Sequence, residues 1–270
     1  MLTKIPKIMH LYWGGGKLCY LQYMTVETFK KYNPDWRIII HTPSQYSDKI
    51  TWETDEQKIK HGGIDFFPEL RKVSYVEFNV VDFNNIGFTE DVSEVFKSDY
   101  LRWYLLSTVG GGWTDFDVLY TAPLSNIDIT DEDTIICTIN NIHIIGFYLS
   151  KPNNHFFKNL LDNCNNFFDE KQYQSIGSSM LNQLYPDLTS ITTKHPELVV
   201  KNLHKNVIYP FYHDEIEMIF IQSRLDKITK ETVGVHWYNG TRLSKIFNFT
   251  FLPNTITNTN TITELLKNKI

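Results

Sequence analysis

Within its first 41 residues the chain sets a helical stretch between two short apolar runs, an order that few folds accept. Lys7 to Trp13 is apolar, bounded by Pro6 and by Gly14-Gly15-Gly16, and has the length of a buried strand ending in a glycine turn. Tyr20 to Tyr32 carries helical spacing through Met24 and Phe29 and stops at Asn33-Pro34. Trp36 to His41 (WRIIIH) is a second buried strand. A strand, helix and strand with runs this apolar predict an α/β fold, a parallel sheet covered by helices.

The middle of the chain is less regular. Residues 44–97 contain one β-like run, Val73 to Val81, and are expected to hold one or two helices and an insertion. Ser98 is read as the N-cap of a helix whose Leu101, Tyr104, Leu105 and Thr108 share a face and which ends at Gly110-Gly111-Gly112. Trp113 to Tyr120 is expected to be one strand, stopping near Pro123. Strands at Thr134 to Thr138 and His143 to Leu149, helices near 153–169 and 174–185, a weaker segment at 196–209, and a strand or ordered loop at Val233 to Tyr238 follow. Asn254 to Thr263 alternates Asn, Thr and Ile and reads as a surface stretch before a short terminal helix. With no repeat and no linker, a single domain over residues 1–270 is expected.

Composition excludes several functions. A net charge of −5, with no basic stripe, argues against nucleic acid as a macromolecular partner. The three cysteines, Cys19, Cys137 and Cys164, are far apart and form no CxxC, which speaks against a disulfide framework or zinc site and for a reducing compartment. No run approaches the roughly 20 apolar residues of a membrane span, and the N-terminal run is too short for a signal peptide, so a soluble cytoplasmic protein is expected. Gly14-Gly15-Gly16 lacks both GxxxxGK and GxGxxG spacing, so neither ATPase nor NAD chemistry is indicated. Aromatics make up 14% of the chain. Most should fill the core, leaving a few for flat bases or sugar faces.

The polar residues that stand out are two aspartates in Trp113-Thr114-Asp115-Phe116-Asp117-Val118. On a strand, Asp115 and Asp117 would point to one side while Phe116 and Val118 enter the core. Two converging carboxylates repel unless a positive charge lies between them, and a hard cation such as Mg²⁺ or Mn²⁺ meets that need. The pair leaves a cation short of ligands, and His236, between Val235 and Trp237, is the candidate third. Arg102 lies in a mostly apolar helix with Asp99 three residues before it. This is either a structural ion pair or a positive charge beside a reaction centre. Trp13, at a strand end, either caps the core or faces a ligand.

Three blocks together carry a resemblance. Ile5-Pro-Lys-Ile-Met-His-Leu-Tyr-Trp13-Gly, Ser98-Asp-Tyr-Leu-Arg102 and Gly110-Gly-Gly-Trp-Thr-Asp-Phe-Asp117 resemble the signature blocks of glycosyltransferase family 32 and its relatives, among them the catalytic domains of clostridial glucosylating toxins. The remainder is similar only in outline, through Ser175-Ile-Gly177, Tyr209-Pro-Phe-Tyr212 and Val235-His-Trp237. The resemblance implies a GT-A fold, that is, a Rossmann-like nucleotide-binding domain with a mixed, mostly parallel sheet flanked by helices. Residues 1–125 would form the nucleotide-sugar half, 126–253 the acceptor side and 254–270 a tail.

It also implies roles. Trp13 would stack on the nucleobase, Asp99 and Arg102 would contact the donor sugar and phosphate, and Trp113 would stand beside the DXD. Asp117 would be the direct metal ligand, Asp115 would be shared between ribose and metal, and His236 would add a metal or diphosphate contact. Thr241 would keep a hydroxyl contact to phosphate, although Arg242 stands where the family has tryptophan and Ser178 where many members have proline.

The expected activity is therefore retaining transfer of a hexose from a nucleotide sugar to a glycan, protein or small-molecule acceptor, with Mn²⁺ or Mg²⁺ as cofactor. A UDP-sugar is the expected donor and GDP-mannose the alternative. Asn140, Asn141 and His143 either face the acceptor or hold a turn; His213-Asp214-Glu215 either reaches it or starts a solvated helix. The rival readings are a metal-dependent sugar-nucleotide hydrolase and a degenerate nucleotide- or carbohydrate-binding protein.

Overall fold

The computed structural model of the protein describes residues 4–52, 60–255 and 259–269. The opening follows the expected order: strand β1 (Ile8–Tyr12), helix α1 (Tyr20–Tyr32) and strand β2 (Arg37–Pro43). A short helix α2 (Phe67–Leu70), β3 (Val76–Val81), α3 (Glu94–Thr108), β4 (Gly111–Thr114), β5 (Val118–Tyr120), β6 (Thr134–Ile139) and β7 (Ile142–Ser150) follow. Then come α4 (His155–Phe167), a π-helical turn at Ser175–Ser179, α5 (Met180–Leu184), α6 (Leu188–Lys194) and β8 (Val200–Leu203). The described chain closes with α7 (Ile216–Phe220), β9 (Gly234–His236), α8 (Arg242–Thr250) and α9 (Thr261–Lys269).

Seven strands form one sheet in the order β3-β2-β1-β4-β7-β6-β8. The first four run parallel, β7 is antiparallel to both of its neighbours, and β8 is parallel to β6. One reversed strand makes the sheet mixed and mostly parallel. Alternate side chains enter two separate cores, as strand periodicity requires. Met9, Leu11, Ile38, Ile40, Phe147 and Leu149 meet Val26 and Phe29 of α1 on one face. Tyr12, Trp113, Ile136 and Tyr148 meet α3 and α4, through Phe96, Trp103, Phe156 and Phe157, on the other. Helices on both faces explain why the opening strands are apolar throughout. All three cysteines are buried and free.

Several boundaries differ from expectation. Helix α3 begins at Glu94, capped by Ser93, whose hydroxyl accepts from the Val95 N–H; Ser98 lies one turn inside. Its burial runs almost all the way round, while Tyr104 is only half-buried and Thr108 is exposed, because α4 and the 175–179 turn cover faces that periodicity alone assigned to solvent. The stretch Trp113 to Tyr120 is two strands in two sheets: β4 ends at Thr114, the chain turns over residues 115–117, and β5 pairs antiparallel with β9. Asp115 and Asp117 therefore sit in a turn, and strand alternation is not what aligns them. Asn260, Thr261, Ile262 and Thr263, expected at the surface, are buried against α7: the Asn260 side chain donates to Phe220 O at 2.8 Å and the Thr261 N–H to Gln222 O at 2.9 Å. Residues 256–258 of that stretch lie outside the described ones.

Candidate active site

The site lies at the carboxyl ends of β1 and β4, where ligands bind in open α/β sheets. Two glycines open β4 at the strand end away from the site. Gly110 and Gly111 take φ of 70° and 94°, and a Cβ on either would come within 2.6 Å of the backbone at Pro152 or Ile8. Only glycine enters this tight passage from α3 into β4 at low cost. Where β4 leaves the sheet, the Asp115 N–H donates to Gly146 O at 2.9 Å. Phe116 turns inward, its carbonyl accepting from Thr25 Oγ1 at 2.7 Å. The two flanking aspartates are thereby left facing a cleft of about 290 Å³, which is also lined by Trp13, Asp99 and Arg102.

Asp115 is held through one oxygen. Its Oδ1 accepts from the indole N–H of Trp113 at 2.9 Å and from Arg102 Nη2 at 3.1 Å. Arg102 is 3% exposed; its Nη1 donates to Asp99 Oδ1 at 2.8 Å, and its guanidinium lies 5.0 Å from the Trp113 ring centre. Burial works to lower the arginine pKa, but Asp115 and Asp99 outweigh it, so Arg102 stays charged. Burial lifts Asp99 to about 6, with Arg102 opposing and Asp115 adding to the rise. A Cβ on Gly177 would fall 2.2 Å from Asp99 Oδ2, so the 175–179 turn approaches Asp99 as only glycine allows.

Asp117 is held from the other side. Its Oδ2 accepts from the Asn239 N–H at 2.8 Å, and its carbonyl accepts from the Trp237 N–H at 2.8 Å. Its Oδ1 lies 3.1 Å from His236 Nε2, yet is buried without a hydrogen-bond partner among the described residues. Burial opposes ionisation of Asp117, but His236 and the Asn239 N–H prevail and hold its pKa down. Burial would lower the His236 pKa, and Asp117 and Asp115 raise it instead. Ligand atoms of Asp115, Asp117 and His236 lie within 4.8 Å of one another. Two carboxylates and an imidazole whose ligand atoms lie this close could hold a divalent cation.

The remaining candidates divide. Trp13 lines the cleft, stacked on Phe67 and edge-on to Phe116 at 5.4 Å. Trp113 is buried beneath the cleft and reaches it only through Asp115. Thr241 does not line it; its hydroxyl caps α8, accepting from the Ser244 N–H, while Asn239 and Gly240 form that wall. Asn140 and Asn141 occupy the β6–β7 turn with φ of 52° and 66°, and neither they nor His143 line the cleft. Glu215 stands at the start of α7, where it accepts from the Tyr212 N–H and pairs with Lys227, the helix-start alternative.

Tyr12, Gln22, Glu94, Tyr173 and Gln174 line the cleft without having been anticipated. Glu94 accepts from the Tyr12 hydroxyl and from the Ser47 N–H, and pairs with the buried Lys97. The Ser93-Glu94 pair was a legible capping signal, but Gln174, with φ of 52°, carries none.

Residues 149–257 match the family described as "Alpha 1,4-glycosyltransferase conserved region", less than half of the chain. The match covers His236, Asn239 and Gly240 and lies in the part where the signature blocks give only an outline. No curated protein matches the chain. Among solved structures, PaToxG glycosyltransferase is 16% identical (72% of this chain, 74% of that one, TM-score 0.47). Galactosyltransferase LgtC, solved with donor and acceptor sugar analogues, is 13% identical (97% and 100%, TM-score 0.45). The glycosyltransferase domain of the YGT toxin is 11% identical (75% and 81%, TM-score 0.46). Residues 149–257 are thus similar to a conserved region of glycosyltransferases. The sheet is mixed and seven-stranded, with helices on both faces.

Proposed function

We propose that the chain is a metal-dependent retaining transferase that moves a hexose from a UDP-sugar to a glycan, protein or small-molecule acceptor. The observation that carries this reading is the convergence of Asp115, Asp117 and His236 in a cleft walled by Trp13 and by the Asp99–Arg102 pair. Asp117 Oδ1, Asp115 Oδ2 and His236 would hold the cation, which when bound offsets charge on the departing nucleoside diphosphate. Arg102, already desolvated and oriented by Asp99, places a fixed positive charge beside the same cleft with little reorganisation. Trp13 offers its ring to the nucleobase.

The test is a panel of nucleotide sugars, GDP-mannose included, screened for thermal stabilisation with Mn²⁺, followed by turnover with and without acceptors and the anomeric configuration of the product by NMR. UDP-sugars should stabilise only with Mn²⁺, and the product should keep the donor's configuration. Fast donor turnover indifferent to every acceptor would mean a hydrolase. An Asp117→Ala variant that keeps its Mn²⁺ and UDP affinity would remove the site assignment.

A further inference from the structure

Backbone bonds fix the inner end of the site, joining Asp115 to Gly146 and His236 to the residue before Tyr209. Asp115 donates its N–H to Gly146 O on β7, and His236 donates its N–H to Ile208 O at 2.9 Å, one residue before Tyr209. Tyr209 is fully buried, and its ring lies against that of His236 at 5.1 Å. Its hydroxyl has no hydrogen-bond partner among the described residues. A phenylalanine would fill the same volume, so packing does not account for the oxygen.

Gly146 marks where that oxygen points. A Cβ there would lie 3.0 Å from the Tyr209 hydroxyl, 3.2 Å from Asp115 Oδ2 and 3.2 Å from His236 Cδ2. Three groups on three segments thus converge on one point, where even a methyl group would crowd them and only glycine leaves them room. Of the Asp115 oxygens, Oδ1 is taken by Arg102 and Trp113, and Oδ2 is the one that borders this space. A phenol carries its proton at neutral pH and so has a hydrogen to give.

We propose that Tyr209 is a positioning residue of the cation site, which would give its hydroxyl hydrogen to Asp115 Oδ2 once that carboxylate is drawn onto a cation, with Gly146 preserving the room for that contact. The inference rests on the cation reading of Asp115, Asp117 and His236. Donors of this kind orient a ligating carboxylate and, when removed, weaken metal binding by about 10–100-fold.

The test compares Tyr209→Phe, Gly146→Ala and Asp117→Ala with the unaltered chain. Mn²⁺ affinity is read from the EPR signal of free Mn²⁺ and from calorimetry, and melting is followed in EDTA. Tyr209→Phe should bind Mn²⁺ roughly tenfold more weakly while its metal-free melting temperature holds or rises, since a buried hydroxyl without a partner is lost. Gly146→Ala should weaken Mn²⁺ in the same direction, and keeps the question open to test if the phenylalanine variant folds poorly. Tyr209→Phe binding Mn²⁺ as tightly as the unaltered chain would overturn the inference while leaving the cation site standing, provided Asp117→Ala has lost the ion. Equal Mn²⁺ affinity in Asp117→Ala and the unaltered chain would overturn both.

Discussion

Arg102 shows how one residue can serve fold and site together. Buried between Asp99 and Asp115, it neutralises two carboxylates that would otherwise face each other in low dielectric. Arg102→Met should therefore cost about 3–5 kcal/mol of stability as well as activity, measured by denaturant unfolding. Trp13 differs, being half-exposed at the cleft wall. Trp13→Ala should weaken UDP by roughly tenfold, the loss of a stacking contact worth about 1–1.5 kcal/mol, with little change in melting temperature. An equal loss of UDP affinity and stability would instead make Trp13 a core residue. Both side chains were legible in the sequence as candidates. Whether each packs or binds was not, because one-dimensional spacing cannot say what lies opposite a side chain.

At the scale of elements, the informative cases are α3 and the strand that divides after it. Ser93 caps α3, so Ser93→Ala should destabilise by about 1 kcal/mol while Ser98→Ala, inside the helix, stays within about 0.5 kcal/mol. Thermal melts of the two variants check this, and the reverse order would return the helix start to Ser98. The glycines after α3 were read correctly as its end. Their second task, the close passage beneath β1, depends on backbone brought from residues 8 and 152. The same holds for Asp115 and Asp117. Their convergence was anticipated, but for the wrong reason: β5 pairs with β9, and that pairing pulls the chain out of the main sheet between the two aspartates.

For the molecule as a whole, a polar chain crosses the parallel strands inside the protein. Asn79 Nδ2 donates to His41 Nδ1 at 3.0 Å, the two histidines share a contact of 3.0 Å, and His10 Nε2 meets Gly110 O at 3.2 Å. A donor at one end and an acceptor at the other require both rings to be neutral with the proton on Nε2. Burial lowers His10 from 6.5 to about 4 and His41 from 6.5 to about 3. The unfolded chain therefore takes up protons first as pH falls. The stability linked to these rings is complete above pH 6.5 and is lost progressively below it, toward pH 4 and then pH 3. For His10 alone this amounts to about 3 kcal/mol. Urea midpoints from pH 7 to 4 should fall, and a His10→Gln, His41→Gln double variant should show a flatter profile.

Local chemistry was enough to foresee the parallel opening, the helix stopped by Asn33-Pro34, the glycines after α3 and the two aspartates, because each follows from chain stiffness, periodicity or charge repulsion among near neighbours. Residues distant in sequence decided the rest. Gly146 and Tyr209 gain meaning only when β7 and the segment before Pro210 bring them to Asp115 and His236. Thr241 lies outside the lining of the cleft, its hydroxyl capping α8. The cleft needs side chains from distant segments to converge within a few ångströms, and here that convergence joins residues from 99 to 239, a span no local pattern can report.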